Sequence, residues 1–229
     1  HISRAIKSGK GLPDVPELVD FFEQRLIREQ LNPEDQERTM QKARDMIPQI
    51  LQAKRDSFLV AHDPEYSFSG RGVMIGDVPV SGMIDRVEYQ DGGITLVDYK
   101  TSKPVTSWAD KQKHDTLASY RRQLIFYGLL AQYSGLFGTD IELNGRIDFL
   151  EPTDTGEFVS LPLRITSEDM QELEALLQIV YHKILTFDFP DVFIKGNPKL
   201  VVPSLKISYG SFFSFVILNS IEQPLKGIS

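Results

Sequence analysis

The segment of residues 82–100, which reads GMIDRVEYQDGGITLVDYK, restricts the fold more than any other part of the chain. Apolar residues alternate with polar ones in residues 83–89 and again in residues 94–99, which is typical of half-buried strands. The sequence Asp91-Gly92-Gly93 separates the two runs, and an Asp-Gly pair in such a place favours a tight turn. The segment is therefore predicted to form a β-hairpin.

The expected register of this hairpin brings two carboxylates together. With Asp91-Gly92 as the two-residue loop, Asp85 faces Asp98. Directly opposed side chains lie about 4.5–5.5 Å apart, and like charges at that distance destabilise the pair. A divalent cation would relieve the repulsion, because hard cations such as Mg²⁺ prefer oxygen ligands. Lys100 lies two residues after Asp98 and so falls on the same face of its strand.

A helix predicted over residues 119–133 adds to this pattern. It is apolar almost all round, which indicates a buried helix. Gln123 and Tyr127 are four residues apart and share one of its faces. A buried glutamine needs a hydrogen-bond partner. Ordinary helix packing would explain these two residues, just as an exposed strand end would explain the hairpin charges, but the combination favours a site shared by both elements.

Together these residues resemble the motifs of the PD-(D/E)XK nuclease superfamily, and in particular its RecB-type exonuclease branch. The matching motifs are Asp85 on one strand, Asp98-Tyr99-Lys100 on the next, and Gln123-x-x-x-Tyr127 on the following helix. The resemblance covers residues 65–133 well and the preceding helices loosely. It implies an α/β fold with a restriction-endonuclease-like core, in which helices flank a mixed β-sheet in the order α-β-β-β-α-β, with an N-terminal helical region.

The resemblance also implies the roles of individual residues. The catalytic residues would be Asp85, Asp98 and Lys100. The ligands of Mg²⁺ or Mn²⁺ would be Asp85, Asp98 and the carbonyl of Tyr99, with Glu65 and His1 as further candidates. An exposed strand glutamate and a frayed terminal histidine explain Glu65 and His1 equally well.

The residues expected to bind DNA lie on and before the predicted helix. The chain has a net charge of −7, which argues against a general affinity for nucleic acid. Basic residues nevertheless outnumber acidic ones in residues 100–122, directly after the proposed active strand. A solvated loop would explain this basic segment equally well. The candidate DNA-binding residues are Gln123, Tyr127, Lys103, Lys111, Lys113, Arg121 and Arg122.

Composition excludes several kinds of site. The 229-residue chain contains no cysteine, which rules out disulfides, thiolate zinc sites and a cysteine-held iron–sulfur cluster in this chain. Here it departs from the many members of the RecB-type branch that carry a four-cysteine cluster. The sequence shows neither a signal peptide nor an apolar run of the roughly 20 residues that a membrane span needs. We therefore expect a cytoplasmic, intracellular protein without membrane association.

The chain is predicted to form one nuclease domain over residues 1–186, followed by a tail of uncertain role over residues 187–229. The N-terminal helices occupy about residues 14–56, with Asp14 and Asn32 as caps. Elsewhere the sequence predicts strand-like structure over residues 57–68, interrupted at Asp63-Pro64; a second hairpin at Gly76-Asp77; a polar loop over residues 101–115; and a helix capped by Ser167.

These observations lead to one functional hypothesis and two rivals. The chain is expected to be a metal-dependent deoxyribonuclease, an exonuclease that hydrolyses phosphodiester bonds in repair or recombination, in partnership with a helicase domain or subunit. The first rival is a catalytically silent nuclease fold that serves as a DNA-binding or assembly module. The second is an α/β interaction domain with a fortuitous hairpin. The intact set of Asp85, Asp98 and Lys100 favours the enzyme.

Overall fold

The computed structural model describes residues 1–138, 141–186 and 188. The predicted C-terminal tail, residues 187–229, lies outside the described residues except for Asp188. The elements are α1 (Ile2–Lys7), α2 (Val15–Arg28), α3 (Pro33–Ala53), α4 (Arg55–Leu59), β1 (His62–Ser67), β2 (Met74–Ile75), β3 (Val78–Pro79), β4 (Met83–Gln90), β5 (Gly93–Lys100), a 3-10 helix (Lys111–Lys113), α5 (His114–Ser134), β6 (Glu142–Phe149), β7 (Ser160–Arg164) and α6 (Ser167–Thr186).

A five-stranded mixed sheet in the order β1-β4-β5-β6-β7 forms the centre of the fold. Among the described strands, only the β5–β6 pair is parallel, and α5 provides the crossover between these two strands. Helices flank the sheet, as expected for a restriction-endonuclease-like α/β fold, and the fold class predicted from the sequence is confirmed. No helix among the described residues is long and apolar enough to cross a membrane.

The central hairpin has the predicted register. Gln90 pairs with Gly93 and Arg86 with Val97, so the turn consists of Asp91 and Gly92. Gly92 has φ 83°, in the left-handed region that glycine enters at no steric cost. The smaller hairpin at Gly76-Asp77 is also present, as the antiparallel pair of β2 and β3.

Helix α5 packs closely on the sheet. Its buried residues, from Leu124 to Ala131, join the apolar face of β4 and β5 in one core. Leu124 lies over Gly145 of β6, where an added Cβ atom would come within 3.0 Å of the leucine side chain. Because Gly145 has no side chain, α5 can approach β6 closely at this point. Gln123, which directly precedes Leu124, is thereby brought near the sheet.

The N-terminal helices begin at the predicted caps. The side chain of Asp14 accepts a hydrogen bond from the backbone N–H of Glu17 at 2.9 Å. The side chain of Asn32 accepts one from the N–H of Asp35 at 2.9 Å. Both helices have a proline in the first turn, where a missing N–H costs nothing.

Four local predictions were wrong. Ser57 lies in α4, and the strand begins only at His62. The Asp63-Pro64 pair does not interrupt β1, because β1 is the edge strand and proline is tolerated there. The polar loop is shorter than predicted, since the chain is helical from Lys111 onwards.

The fourth correction concerns the start of α6. Thr166, not Ser167, caps this helix. The Oγ1 atom of Thr166 accepts a hydrogen bond from the N–H of Asp169 at 3.2 Å, and Asp169 Oδ2 accepts one from the N–H of Thr166 at 3.2 Å. The reciprocal pair is a capping box, and the acidic residue three positions on was its signal in the sequence.

Candidate active site

Three neighbouring strands each contribute a carboxylate at the same level of the sheet. The pairing of Arg86 with Val97 sets Asp85 of β4 level with Asp98 of β5. On its other side β4 pairs with β1, and the pairs on either side of Glu65 set that residue level with Asp85. The sheet therefore aligns Glu65, Asp85 and Asp98 across three strands.

Asp98 is almost fully buried and held from α5. Its Oδ1 atom accepts hydrogen bonds from Gln123 Nε2 at 2.7 Å and from the Tyr127 hydroxyl at 3.0 Å. Gln123 Nε2 also donates to the Tyr127 hydroxyl oxygen at 2.8 Å. Burial raises the pKa of Tyr127, and the charges of Asp98 and Asp85 add to this effect, so the phenol stays a neutral donor. Two side chains one helical turn apart thus fix the orientation of one carboxylate.

Lys100 is the cation of the site. Its Nζ atom lies 2.7 Å from Asp98 Oδ2 and donates to Gln123 Oε1 at 2.8 Å. The Tyr120 ring centroid is 4.8 Å from Nζ, which adds a cation–π contact. Tyr120 was not predicted, although its spacing of three residues from Gln123 places both on one face of α5.

Asp85 is half-buried and bonded to the neighbouring strand. Its Oδ2 atom accepts the backbone N–H of Tyr99 at 2.8 Å. Burial is the main cause that raises the pKa of Asp85; the charges of Asp98 and Glu65 also raise it, while the Tyr99 hydrogen bond and the charge of Lys100 lower it. The repulsion predicted from the sequence therefore acts, but burial contributes more.

The two further candidate ligands lie at the border of this site. Glu65 is exposed and has φ 49°, a left-handed conformation that is uncommon for a residue with a side chain. His1 Nε2 lies 2.7 Å from Glu17 Oε1, and the ring stacks on Phe21 with 4.3 Å between centroids. Within residues 1–138, 141–186 and 188, no three His, Asp or Glu side chains converge as a metal-binding group.

The candidate DNA-binding cations differ in their surroundings. Lys103, Lys111 and Lys113 are exposed, and Arg122 is partly buried. Arg121 Nη2 donates to Asp169 Oδ1 at 2.6 Å, so its charge is partly neutralised by α6. Lys103 Nζ lies 3.7 Å from Asp154 Oδ1. Lys111 and Lys113, in the 3-10 helix, are therefore the best candidates in this segment for testing contacts with phosphate.

Sequence reasoning missed a second buried charge cluster, on the opposite face of the sheet. Arg146 Nη1 and Nη2 each donate to one oxygen of Glu88 at 2.8 Å, and Arg146 also binds Asp148 at 3.0 Å. Lys54, at the end of α3, lies 3.5 Å from Asp148. The alternation of charges in Arg86-Val87-Glu88 and Arg146-Ile147-Asp148 was the available signal, since it places these charges on one face.

The model of the PD-(D/E)XK nuclease superfamily matches residues 7–136, which is more than half of the chain. The chain belongs to this superfamily. A solved structure of a candidate exonuclease from Eubacterium rectale is similar at 12% sequence identity and a TM-score of 0.45, covering 79% of this chain and 70% of that chain. No curated protein matches the chain.

Nucleases of this superfamily generally use divalent metal ions such as Mg²⁺, and the residues present fit such an ion. Asp98 Oδ2 is buried and makes no hydrogen bond, and the Lys100 ammonium 2.7 Å away compensates part of its charge. Lys100 Nζ lies close to this oxygen but is not aligned to donate to it. A buried carboxylate oxygen without a hydrogen bond is costly unless another group compensates it. Asp85 and the Tyr99 carbonyl supply further hard oxygen donors on adjacent strands.

Proposed function

We propose that the protein is a metal-dependent nuclease that hydrolyses phosphodiester bonds in DNA. The observation that carries the proposal is the Asp98 carboxylate, buried on β5 beside Asp85 and held by Gln123, Tyr127 and Lys100. Two carboxylates level with each other on neighbouring strands repel in a purely structural site, and a divalent cation would relieve that repulsion.

The proposed ligands of Mg²⁺ or Mn²⁺ are Asp85, Asp98 and the carbonyl of Tyr99, with Glu65 and His1 as outer candidates. When bound, such an ion would lower the pKa of a bound water molecule and neutralise charge on the phosphate. Lys100 would orient the attacking water or stabilise the negative charge of the pentavalent transition state. Gln123 and Tyr127 would hold Asp98 in place and position the nucleic-acid backbone.

The motif set supports a narrower assignment to the RecB-type exonuclease branch. Asp98-Tyr99-Lys100 on β5 is followed on α5 by Gln123-x-x-x-Tyr127, and both motifs meet at one carboxylate. We extend the proposal to exonucleolytic cleavage in DNA repair or recombination inside the cell, with a helicase domain or subunit as partner. The domain extends over residues 1–186 in this proposal.

A cleavage assay tests this proposal. Wild type and Asp98→Ala are incubated with end-labelled single-stranded and double-stranded DNA, in Mg²⁺, in Mn²⁺ and in excess chelator. We expect cleavage by wild type only with metal, release of short products from one end, and no cleavage by the variant. Undiminished cleavage in chelator would contradict the metal-dependent mechanism. DNA binding without cleavage under any of these conditions would favour a silent nuclease fold.

A further inference from the structure

A cavity lies between the N-terminal helices and the sheet, on the sheet face that carries Arg86 and Tyr99, and it reaches the candidate active site at Asp85. Its volume is about 320 Å³. Its walls are mostly apolar and include three aromatic rings, those of Phe21, Phe22 and Phe58, together with Leu18, Ile47 and Leu51. Small-molecule sites have volumes of about 300–1,000 Å³ and are lined in this way, so the cavity can accept one flat, apolar group.

The end of the cavity that touches the sheet is polar. Asp85, Arg86 and Tyr99 line it, so the cavity reaches one of the two central carboxylates of the site. Arg86 is only 2% exposed. Its Nη2 atom donates to the Ser57 carbonyl, whereas Nε makes no hydrogen bond although it lies 3.0 Å from Glu88 Oε1. A guanidinium only donates hydrogen bonds, so this end of the cavity suits a ligand edge that carries hydrogen-bond acceptors.

We propose that this cavity binds an unstacked nucleobase of a single-stranded DNA substrate. The inference rests on the proposed nuclease function. A nucleobase combines an apolar face, which suits the phenylalanine rings, with a polar edge, which suits the end formed by Arg86 and Tyr99. Asp85 lines the cavity and also belongs to the candidate metal site, so the two places meet at this residue, although Arg86 and Tyr99 lie on the sheet face opposite Asp98 and Lys100.

A nucleobase bound in this cavity would make the protein prefer single-stranded DNA as its substrate. A base can enter the cavity only after it leaves its stack, which costs more free energy in a duplex than in a single strand. The protein should therefore bind and cut single-stranded DNA or frayed ends in preference to blunt duplex. The apolar walls, and not the surface lysines, would then provide the part of the affinity that depends on bases.

Two probes of equal backbone charge separate base contacts from phosphate contacts. The first is a short oligothymidylate, and the second is the same sugar-phosphate chain without bases. Their dissociation constants are measured in excess chelator, so that a metal-dependent enzyme does not cut them. We expect wild type to bind the probe with bases about tenfold more tightly, since stacking on an aromatic ring contributes about 1–3 kcal/mol per base.

Two variants on α2 locate this preference. Leu18→Trp fills the cavity and should reduce the ratio of the two dissociation constants to about one. Ile27→Trp adds the same ring at an exposed position of the same helix and should leave the ratio unchanged. Melting curves check that both variants fold. If Leu18→Trp does not fold, Phe58→Leu takes its place. This variant removes a ring from the cavity but keeps an apolar wall, and it should likewise reduce the ratio.

The outcomes distinguish this inference from the proposed function. A ratio near one in wild type, or an unchanged ratio in a folded cavity variant, would overturn the base-binding cavity even if wild type cuts DNA with Mg²⁺. If wild type neither binds the oligothymidylate nor cuts any DNA, the proposed function and the inference both fail.

Discussion

At the scale of single residues, the site depends on the pairing of Lys100 with Asp98. The ammonium lies 2.7 Å from one carboxylate oxygen, and Gln123 links the two side chains by binding both. An ammonium has no acceptor and cannot bind a cation. In the proposed mechanism, Lys100 therefore neutralises Asp98 and supports the reaction without being a metal ligand.

This role predicts that Lys100→Ala separates catalysis from metal binding. The single-turnover cleavage rate should fall about 10²–10³-fold, the usual effect of removing one stabilising donor from a transition state. Mn²⁺ binding measured by calorimetry should persist, because the oxygen ligands remain. Lys10→Ala is the matched control, since this exposed lysine belongs to no candidate site. Normal cleavage by Lys100→Ala would show that the role assigned to Lys100 is wrong.

At the scale of elements, the strand register was predictable because local signals determine it. The Asp91-Gly92 turn sets the pairing of β4 with β5, and a two-residue period then aligns Asp85 with Asp98. The conformation of Glu65 was not predictable, since it depends on how β1 pairs with a strand that follows it by about 20 residues in the chain. The cavity likewise depends on how α2 and α3 pack on the sheet, which no local pattern encodes.

The basic segment of residues 100–122 leads to a prediction about DNA binding. Reversing both Lys111 and Lys113 to Glu should weaken DNA binding for all sequences. The slope of log K against log salt should fall by about one unit for each phosphate that the variant no longer neutralises. The double reversal of Lys10 and Arg28, exposed residues near the N-terminal helices, is the control for net charge. If the two double variants bind DNA equally well at low salt, the phosphate track lies elsewhere.

At the scale of the whole molecule, buried charges join the N-terminal helices to the sheet. Arg86 reaches the Ser57 carbonyl of α4, and Lys54 at the end of α3 approaches Asp148 of β6. Burial acts to raise the pKa of Asp148. Hydrogen bonds from Arg146 and Ser160, and the charges of Arg146 and Lys54, outweigh burial and hold this pKa below its ordinary value.

The lowered pKa of Asp148 predicts how stability depends on pH. Its charged form stabilises the fold above the ordinary aspartate pKa of about 4, and this contribution is lost as the pH falls through the lower pKa of the folded state. Asp148→Asn should therefore reduce the free energy of unfolding by about 2 kcal/mol at neutral pH. The difference from wild type should shrink in acid. A difference that stays constant from neutral to acidic pH, measured by urea titration, would contradict this assignment.

The central claim is that Asp85 and Asp98 hold a divalent metal ion, and melting curves of wild type and Asp85→Asn with and without Mn²⁺ test it most directly. Burial raises the pKa of Asp85, so without metal its charge costs stability at neutral pH, and Asp85→Asn should melt at the same or a higher temperature than wild type. Mn²⁺ at about 100 times its dissociation constant should raise the melting temperature of wild type by about 5–10 °C.

The variant Asp85→Asn should gain much less from Mn²⁺, whereas Asp91→Asn should gain as much as wild type. Asp91 belongs to the hairpin turn, where Asn-Gly serves as well as Asp-Gly, so this control removes one negative charge without a proposed ligand. A large shift in wild type and Asp91→Asn that is absent in Asp85→Asn is the result we predict. Equal shifts in all three proteins would show that Asp85 is not a ligand and would contradict the account of the site.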